Sequence, residues 1–146
     1  MIQKFVDRFM AVKPELEKKF SEKHIHSYAD LVKITLSSIA HMDEEYEEKE
    51  ERKEEEEDRY YPDMDVKKTT EIDDGHYQGN KLFVIPADEY QPSTYYAVYV
   101  SYGSCSGCDT LQRINDSYFN DDAPTKQNVE DYMMLALHIV QGLKII

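Results

Sequence analysis

Residues 79–102 read GNKLFVIPADEYQPSTYYAVYVSY, and this stretch predicts two β-strands joined by a proline-containing connection. The first strand, Lys81 to Ile85, is apolar after its lysine and has no polar alternation, which is typical of a central strand covered on both faces. The run from Tyr95 to Tyr102 is expected to be the longest strand, with side chains alternating between two faces. One face carries Tyr96, Val98, Val100 and Tyr102, and the other carries Tyr95, Ala97, Tyr99 and Ser101.

A third strand is predicted immediately upstream of this pair. Residues 66–72 alternate in character and are rich in β-forming side chains, and Asp73-Asp74-Gly75 supplies the turn that ends the strand. Together the three segments predict a small antiparallel sheet of about three strands.

Four segments outside the sheet have helical periodicity. Pro14 suits the first turn of the second helix, and Ser27 with Asp30 forms a capping pair for the third. Pro124-Thr125 opens a C-terminal helix that is expected to pack on the sheet. The expected buried residues of the first two helices are Ile2, Phe5, Val6, Phe9, Met10, Leu16 and Phe20. The sequence therefore predicts an α+β fold.

A strongly acidic segment follows the third helix. Between Asp43 and Asp58 the chain carries twelve acidic and three basic residues, which accounts for nine of its thirteen net negative charges. Because Glu, Lys and Arg are good helix formers, the third helix is expected to continue through residues 43–61 as an acidic, solvated extension that ends before Pro62. Disorder is the alternative for this composition.

The overall composition restricts the classes of partner and location. A net charge of -13 makes binding to nucleic acid or to an anionic membrane unfavourable. The length of 146 residues suits one domain spanning residues 1–146. No run of about 18 apolar residues occurs, and charges interrupt the first ten residues, unlike a secretory signal. A cytoplasmic location is therefore expected.

The two cysteines of the chain, Cys105 and Cys108, form a C-x-x-C pair after the tyrosine-rich strand. Two thiolates at this spacing can bind Zn²⁺ if further ligands converge, or they can cycle between dithiol and disulfide. The candidate further ligands are His76, Asp73, Asp74 and Asp109. In the third interpretation the cysteines are small buried side chains in a turn that glycines shape, and no cofactor is present.

Tyrosine is frequent, with twelve residues in the chain. Because Tyr presents a large rigid surface with a polar tip, a protein interface is one interpretation, and half-buried packing within strands is the other. Tyr95 and Tyr99 are the pair expected to be exposed. The predicted binding residues are Tyr95, Tyr99, Tyr102, Ser104 and Asp109.

Four short blocks lie close together within about forty residues of the chain: IDDGHYQG at 72–79, LFVIP at 82–86, YQP at 90–92 and YGSCSGCDTL at 102–111. This pattern resembles a block shared by uncharacterised bacteriophage and prophage proteins. The resemblance implies a phage-encoded protein that acts in the host cytoplasm, and it implies no particular activity.

Three functional hypotheses follow. The first is a small acidic accessory protein, not an enzyme, that binds a host or phage protein during infection, for example as an inhibitor. The second is a metal- or thiol-dependent enzyme centred on Cys105 and Cys108. The third is a nucleic-acid mimic, because carboxylates at i and i+4 of an acidic helix lie about 6 Å apart, close to the spacing of phosphates.

Overall fold

Our computed structural model describes residues 3–41, 62–75, 79–103, 109–116 and 123–146. The helices are α1 (Gln3–Ala11), α2 (Lys13–Glu22), α3 (Tyr28–Ile39), α4 (Thr110–Asp116) and α5 (Lys126–Gln141). The strands are β1 (Thr70–Asp73), β2 (Gly79–Pro86), β3 (Tyr95–Tyr102) and β4 (Lys144–Ile145). The predicted α+β class is confirmed.

Two helices begin where the capping residues predict. At the start of α3 the Ser27 hydroxyl accepts a hydrogen bond from the Asp30 amide at 3.1 Å. At the start of α5 the Thr125 hydroxyl accepts from the Asn128 amide, while the Asn128 side chain accepts from the Thr125 amide. Each bond satisfies a backbone donor that has no partner inside its helix.

The sheet is antiparallel, with the strand order β1-β2-β3-β4. β2 is an interior strand, as predicted, and β3 has the predicted bounds, although both strands contain eight residues. The fourth strand exceeds the predicted number. β4 contains two residues, which pair with Tyr96 and Ala97, and a strand of that length is too short to show alternation in a sequence.

The predicted strand at residues 66–72 is wrong in its first part. Val66–Lys68 forms a 3₁₀ turn, in which the Lys68 amide donates to the Asp65 carbonyl and the Thr69 amide donates to the Val66 carbonyl. Val66 is buried in the core. One buried residue in a turn imitates the alternation of a strand, and β1 begins only at Thr70.

β1 forms one edge of the sheet. The Asp74 amide donates to the Asn80 carbonyl of β2. In an antiparallel pair every second residue directs its backbone groups toward the partner strand, so Thr70 and Ile72 also face β2 in this way. The backbone groups of Glu71 and Asp73 therefore point away from the sheet.

One face of the sheet packs against the helices, and we call it the inner face. It contributes Phe83, Ile85, Tyr96, Val98 and Val100 to the core. The Phe5 ring of α1 meets the Tyr96 ring edge-on, with 5.4 Å between centroids. α5 contacts β3 and also packs against α1, α2 and α3. α5 thus packs against both the sheet and the N-terminal helices, and α1 also reaches the sheet directly through Phe5.

α3 ends earlier than predicted. Its last residue is Ile39, after which Ala40 is extended and His41 is left-handed, with a φ of 59°. The predicted uninterrupted continuation is therefore wrong at this point, and the rest of the predicted extension, residues 43–61, lies outside the described residues. The Arg8 guanidinium donates to the Ile39 carbonyl at 3.1 Å, a tertiary contact that helix propensity does not reveal.

Arg8 also contacts the chain both before and after residues 42–61. Its Nη1 atom lies 3.1 Å from the Ile39 carbonyl oxygen and 3.1 Å from Asp63 Oδ2. Arg8 is buried, so these acceptors replace the water that its charge loses on folding. Ile39 and Asp63, which flank that segment, are therefore held close together.

Candidate functional site

The face of the sheet opposite the helices is largely apolar, and we call it the outer face. By the register its residues are Thr70, Ile72, Asn80, Leu82, Val84, Pro86, Tyr95, Ala97, Tyr99, Ser101 and Lys144. The register places Ile72, Leu82 and Tyr99 side by side across three strands. None of these residues belongs to the hydrophobic core. Apart from the buried Ala97, this face therefore lies outside the hydrophobic core.

The outer face is exposed where its largest side chains lie. The exposed fraction is 68% for Tyr99, 51% for Ile72 and 39% for Tyr95. In an antiparallel sheet with one solvated face, the outward positions are normally polar. Here the polar outward residues lie at the margins of the face and its middle is a contiguous apolar surface, which is typical of a binding site.

The small residue Ala97 lies between the two exposed tyrosines of β3 and is almost fully buried. Its cross-strand neighbour is Val84, which in turn pairs with Thr70. This middle row of smaller side chains is flanked by Tyr99 on one side and Tyr95 on the other. Because only 5% of Ala97 is exposed, neighbouring side chains already cover it, and the register places Val84 on one side of it and Lys144 on the other.

The predicted binding residues separate into different parts of the molecule. Tyr95 and Tyr99 lie on the outer face and are exposed, as predicted. Tyr102 lies on the inner face of β3, on the opposite side from Tyr99, and its hydroxyl donates to Asp73 Oδ1 at 2.5 Å. That hydrogen bond requires the protonated phenol and raises the pKa of Tyr102 to about 12. Ser104 lies outside the described residues.

Asp109 is buried and its carboxylate is occupied by the protein itself. Oδ1 accepts hydrogen bonds from the Tyr28 hydroxyl at 2.9 Å and from the Gln112 amide at 3.0 Å. Oδ2 accepts from the Gly103 amide at 2.8 Å. Burial, with a contribution from Asp109, raises the pKa of Tyr28 to about 12. Asp109 therefore connects the end of β3, the start of α4 and the start of α3.

A sequence signal for this structural role of Asp109 was present but missed. Asp109-Thr110-Leu111-Gln112 resembles a helix-capping sequence, in which the first side chain accepts a hydrogen bond from the amide three residues later. The structure has this bond, and the Arg113 amide also donates to the Asp109 carbonyl at 2.9 Å.

The predicted metal ligands cannot be assembled from the described residues. Cys105, Cys108 and His76 lie outside them. Asp73 accepts the Gly75 amide at 3.0 Å and Asp74 accepts the Asn80 amide at 2.7 Å, so both carboxylates stabilise the turn after β1. In the described ranges no group of three or more His, Cys, Asp or Glu side chains could hold a metal ion. The zinc site remains a prediction.

Two depressions border the helices, and one of them lies beside Tyr99 of the outer face. A cavity of about 170 Å³ between β3 and α5 is lined by Tyr28, Tyr99, Thr110 and His138, among others. A groove of about 340 Å³ separates α5 from α1 and α2. Met10 and Met134 are exposed in the lining of this groove. Met10, predicted to be buried, is therefore a surface residue.

Comparison of the chain with models of protein families, with curated proteins and with solved structures finds no match. In the part of the chain that the structure describes, no helix is long and apolar enough to cross a lipid bilayer.

Proposed function

We propose that this protein is a non-enzymatic accessory protein that binds another protein through the outer face of its sheet. The observation that supports the proposal is the row of Ile72, Leu82 and Tyr99, which is apolar, partly exposed and outside the core. Because the row lies outside the hydrophobic core and is partly exposed, its surface is available for binding.

The energetics of the outer face suit protein association. Complete burial of a large apolar side chain contributes roughly 1.5 to 3 kcal/mol, so covering the exposed parts of Ile72 and Tyr99 contributes about 1 to 2 kcal/mol each. Tyrosine is also enriched among the residues that dominate binding energy, because its ring is rigid and its hydroxyl can remain hydrated. Tyr95 and Tyr99 provide two such rings on one strand.

The partner is proposed to be a host or phage protein in the host cytoplasm. The resemblance of residues 72–111 to phage and prophage proteins supports this setting. The net charge of -13 favours a basic or neutral partner over nucleic acid or an anionic membrane. The enzyme hypothesis depends on Cys105 and Cys108, and the mimicry hypothesis depends on residues 43–61. No contact among the described residues favours either one.

A pull-down from lysate of infected host cells, quantified by mass spectrometry, tests the proposal. The variant with Ile72→Lys and Tyr99→Lys places two charges on the outer face, and both positions are exposed, so the fold is expected to persist. The matched control carries Met10→Lys and Met134→Lys in the helix groove, where the wild-type residues are similarly exposed.

The partner is expected to be recovered with the wild-type chain and with the groove variant, and to be lost with the outer-face variant. Thermal unfolding of all three chains confirms that they are folded. Equal recovery of the partner by the outer-face variant would refute the proposed site.

A further inference from the structure

We infer that the open edge of β3 receives an extended segment of another protein, which adds to the sheet as a short strand beside Tyr99 and Ser101. One apolar side chain of that segment enters the cavity between β3 and α5. This inference goes beyond the proposed function, because it concerns an edge of the sheet and not its outer face. It follows from the position of the cavity, the direction of the backbone groups of β3 and the residues of the opposite wall.

The cavity of about 170 Å³ lies along an edge of β3 and not over one of its faces. Three consecutive residues of the strand, Tyr99, Val100 and Ser101, line it. Successive side chains of a strand point to opposite faces, so a single cavity borders three in a row only where it lies along the edge. Because β2 pairs with β3 along all eight of its residues, the cavity lies on the side of β4.

The backbone groups of β3 on this side point outward. The Ile146 amide donates to the Tyr95 carbonyl at 3.0 Å, so Tyr95 directs its backbone groups away from β2. Every second residue of a strand shares this direction, which gives Ala97, Tyr99 and Ser101 the same orientation. β4 extends along β3 only as far as Ala97. Tyr99 and Ser101 therefore present two N–H and two C=O groups with which no strand of the described ranges pairs.

α5 forms the opposite wall of the cavity. Leu135, His138 and Ile139 line it, and their spacing of three and four residues places them on one face of the helix. His138 is exposed, whereas Ile139 is buried and Leu135 is half-buried. Tyr28 of α3 also contributes to the lining. The site thus combines a hydrogen-bonding wall from the strand with a largely apolar wall from the helices.

This combination of walls matches an extended segment. A segment that adds to a sheet edge gains backbone hydrogen bonds from the strand and specificity from pockets for its alternate side chains. A helix satisfies its own backbone groups and would leave those of Tyr99 and Ser101 unpaired. The residue of the segment opposite Val100 points to the same face as Val100, which is the face that α5 covers.

The size of the cavity suits one apolar side chain. An apolar cavity of about 150 Å³ holds a benzene molecule, so the volume of about 170 Å³ accommodates a side chain such as Leu, Met or Phe. The open part of the edge, from Tyr99 to Tyr102, is about 13 Å long, which corresponds to about four residues of an added strand. A terminus or loop of a partner fits this length better than a second folded sheet does. The net charge of -13 favours a neutral or basic segment.

Selection from a peptide library tests the inference without knowledge of the partner. Randomised seven-residue peptides are displayed and enriched on the immobilised full chain. Enriched sequences are expected to share one large apolar residue among strand-forming neighbours, with no acidic residue beside it. A selected peptide is then labelled with a fluorophore, and its Kd for the chain is measured by fluorescence anisotropy.

Methylation of the peptide backbone tests the hydrogen bonds without any change in the protein. Each amide nitrogen of the selected peptide is methylated in turn, which removes one donor at a time. Methylation at every second position, where the amide faces β3, is expected to weaken binding about tenfold or more, and methylation between those positions should have little effect. A scan without this alternation would overturn the inference.

Proline at Ser101 removes a donor from the protein side. The N–H of Ser101 points to the open edge and not to β2, so Ser101→Pro leaves the hydrogen bonds between β2 and β3 in place. Binding of the selected peptide is expected to weaken about tenfold or more. Ser101→Ala is the matched control, because it removes only the hydroxyl that donates to Asn80 at 2.8 Å and keeps the N–H. This control should bind the peptide as the wild type does.

Two further variants complete the test. His138→Trp places a larger ring at the cavity from an exposed position, so it should fold and weaken binding even if Ser101→Pro does not fold. Ile72→Lys changes the outer face on β1, two strands from this edge, and should leave peptide binding unchanged. Thermal unfolding of each variant shows whether it is folded.

Several outcomes overturn the inference. One is the absence of any enriched peptide, and another is wild-type affinity of folded Ser101→Pro or folded His138→Trp. Loss of peptide binding in Ile72→Lys would place the peptides on the outer face instead. Dimerisation of the chain alone, abolished by His138→Trp in sedimentation equilibrium, would identify a second copy as the occupant. The pull-down that tests the proposed function depends on the outer face, so the two proposals can fail separately.

Discussion

Replacing Asp109 tests whether its carboxylate stabilises the fold or is kept for binding a ligand. The side chain is only 7% exposed and accepts three hydrogen bonds, from Tyr28, Gly103 and Gln112. A hydrogen bond to a charged group contributes about 1.5 to 3 kcal/mol, and a helix cap contributes about 1 kcal/mol. Asp109→Ala is therefore expected to lower the free energy of unfolding by about 4 kcal/mol. Asp109→Asn keeps one acceptor oxygen and should cost about 2 kcal/mol.

Urea unfolding followed by circular dichroism measures these changes. Glu89→Gln removes one negative charge from an exposed site and is the control for the general effect of charge, with an expected change within about 0.5 kcal/mol. Combining Asp109→Asn with Tyr28→Phe should give a coupling energy of at least about 1 kcal/mol. Unchanged or increased stability of Asp109→Asn would refute the structural role, because that result is typical of a carboxylate kept for binding.

Three further predictions concern other parts of the molecule. The raised pKa of Tyr28 means that the folded state keeps a proton which the unfolded chain loses near pH 10, so this stabilisation is complete below pH 10 and is lost as the pH approaches 12. Tyr28→Phe should therefore show a shallower fall in unfolding free energy over that interval than the wild type; an identical slope would contradict the assignment. Replacing residues 43–60 by a short Gly/Ser linker should leave the melting temperature unchanged or slightly higher, because Arg8 already holds both flanks together; a large decrease in calorimetry would contradict this. Phe83→Ala on the inner face should cost about 3 to 5 kcal/mol in urea unfolding, whereas Tyr99→Thr on the outer face should change stability by no more than about 0.5 kcal/mol, and equal costs would show that the outer face is part of the core.

Local sequence signals predict most elements of this fold. Apolar spacing locates Leu16 and Phe20 of α2 in the core, and capping residues fix the starts of α3 and α5. These signals are reliable because the physical cause, a hydrogen bond or a buried stripe, lies within one or two helical turns.

Features that depend on distant contacts could not be predicted in this way. α3 ends at Ile39, whose carbonyl accepts a hydrogen bond from Arg8, a residue 31 positions earlier in the chain. The residues that follow are nevertheless good helix formers. β4 exists because two residues after α5 pair with β3. In each case a tertiary contact decides what local propensity leaves open.

The candidate site was predicted in part. The alternation of β3 separates Tyr95 and Tyr99 from Tyr96 and Val98, but it does not indicate which face the helices cover. Ile72 joins the site only through the register of β1 with β2. Asp109 was predicted both as a binding residue and as a metal ligand beside the C-x-x-C pair, while its hydrogen bonds to Tyr28 and Gly103 depend on the fold.

The edge position of β1 affects how the molecule behaves at high concentration. An unpaired edge beside an apolar face is the usual starting point for growth of a β-sheet from one molecule to the next. Here the two residues whose backbone groups point outward are Glu71 and Asp73, which place carboxylates on the inner side of that edge. A second copy adding its own β1 there would bring like charges together. Although Lys81 offsets Glu71 within one molecule, the strand that contributes Ile72 to the outer face is thus also expected to resist the addition of a second copy at its edge.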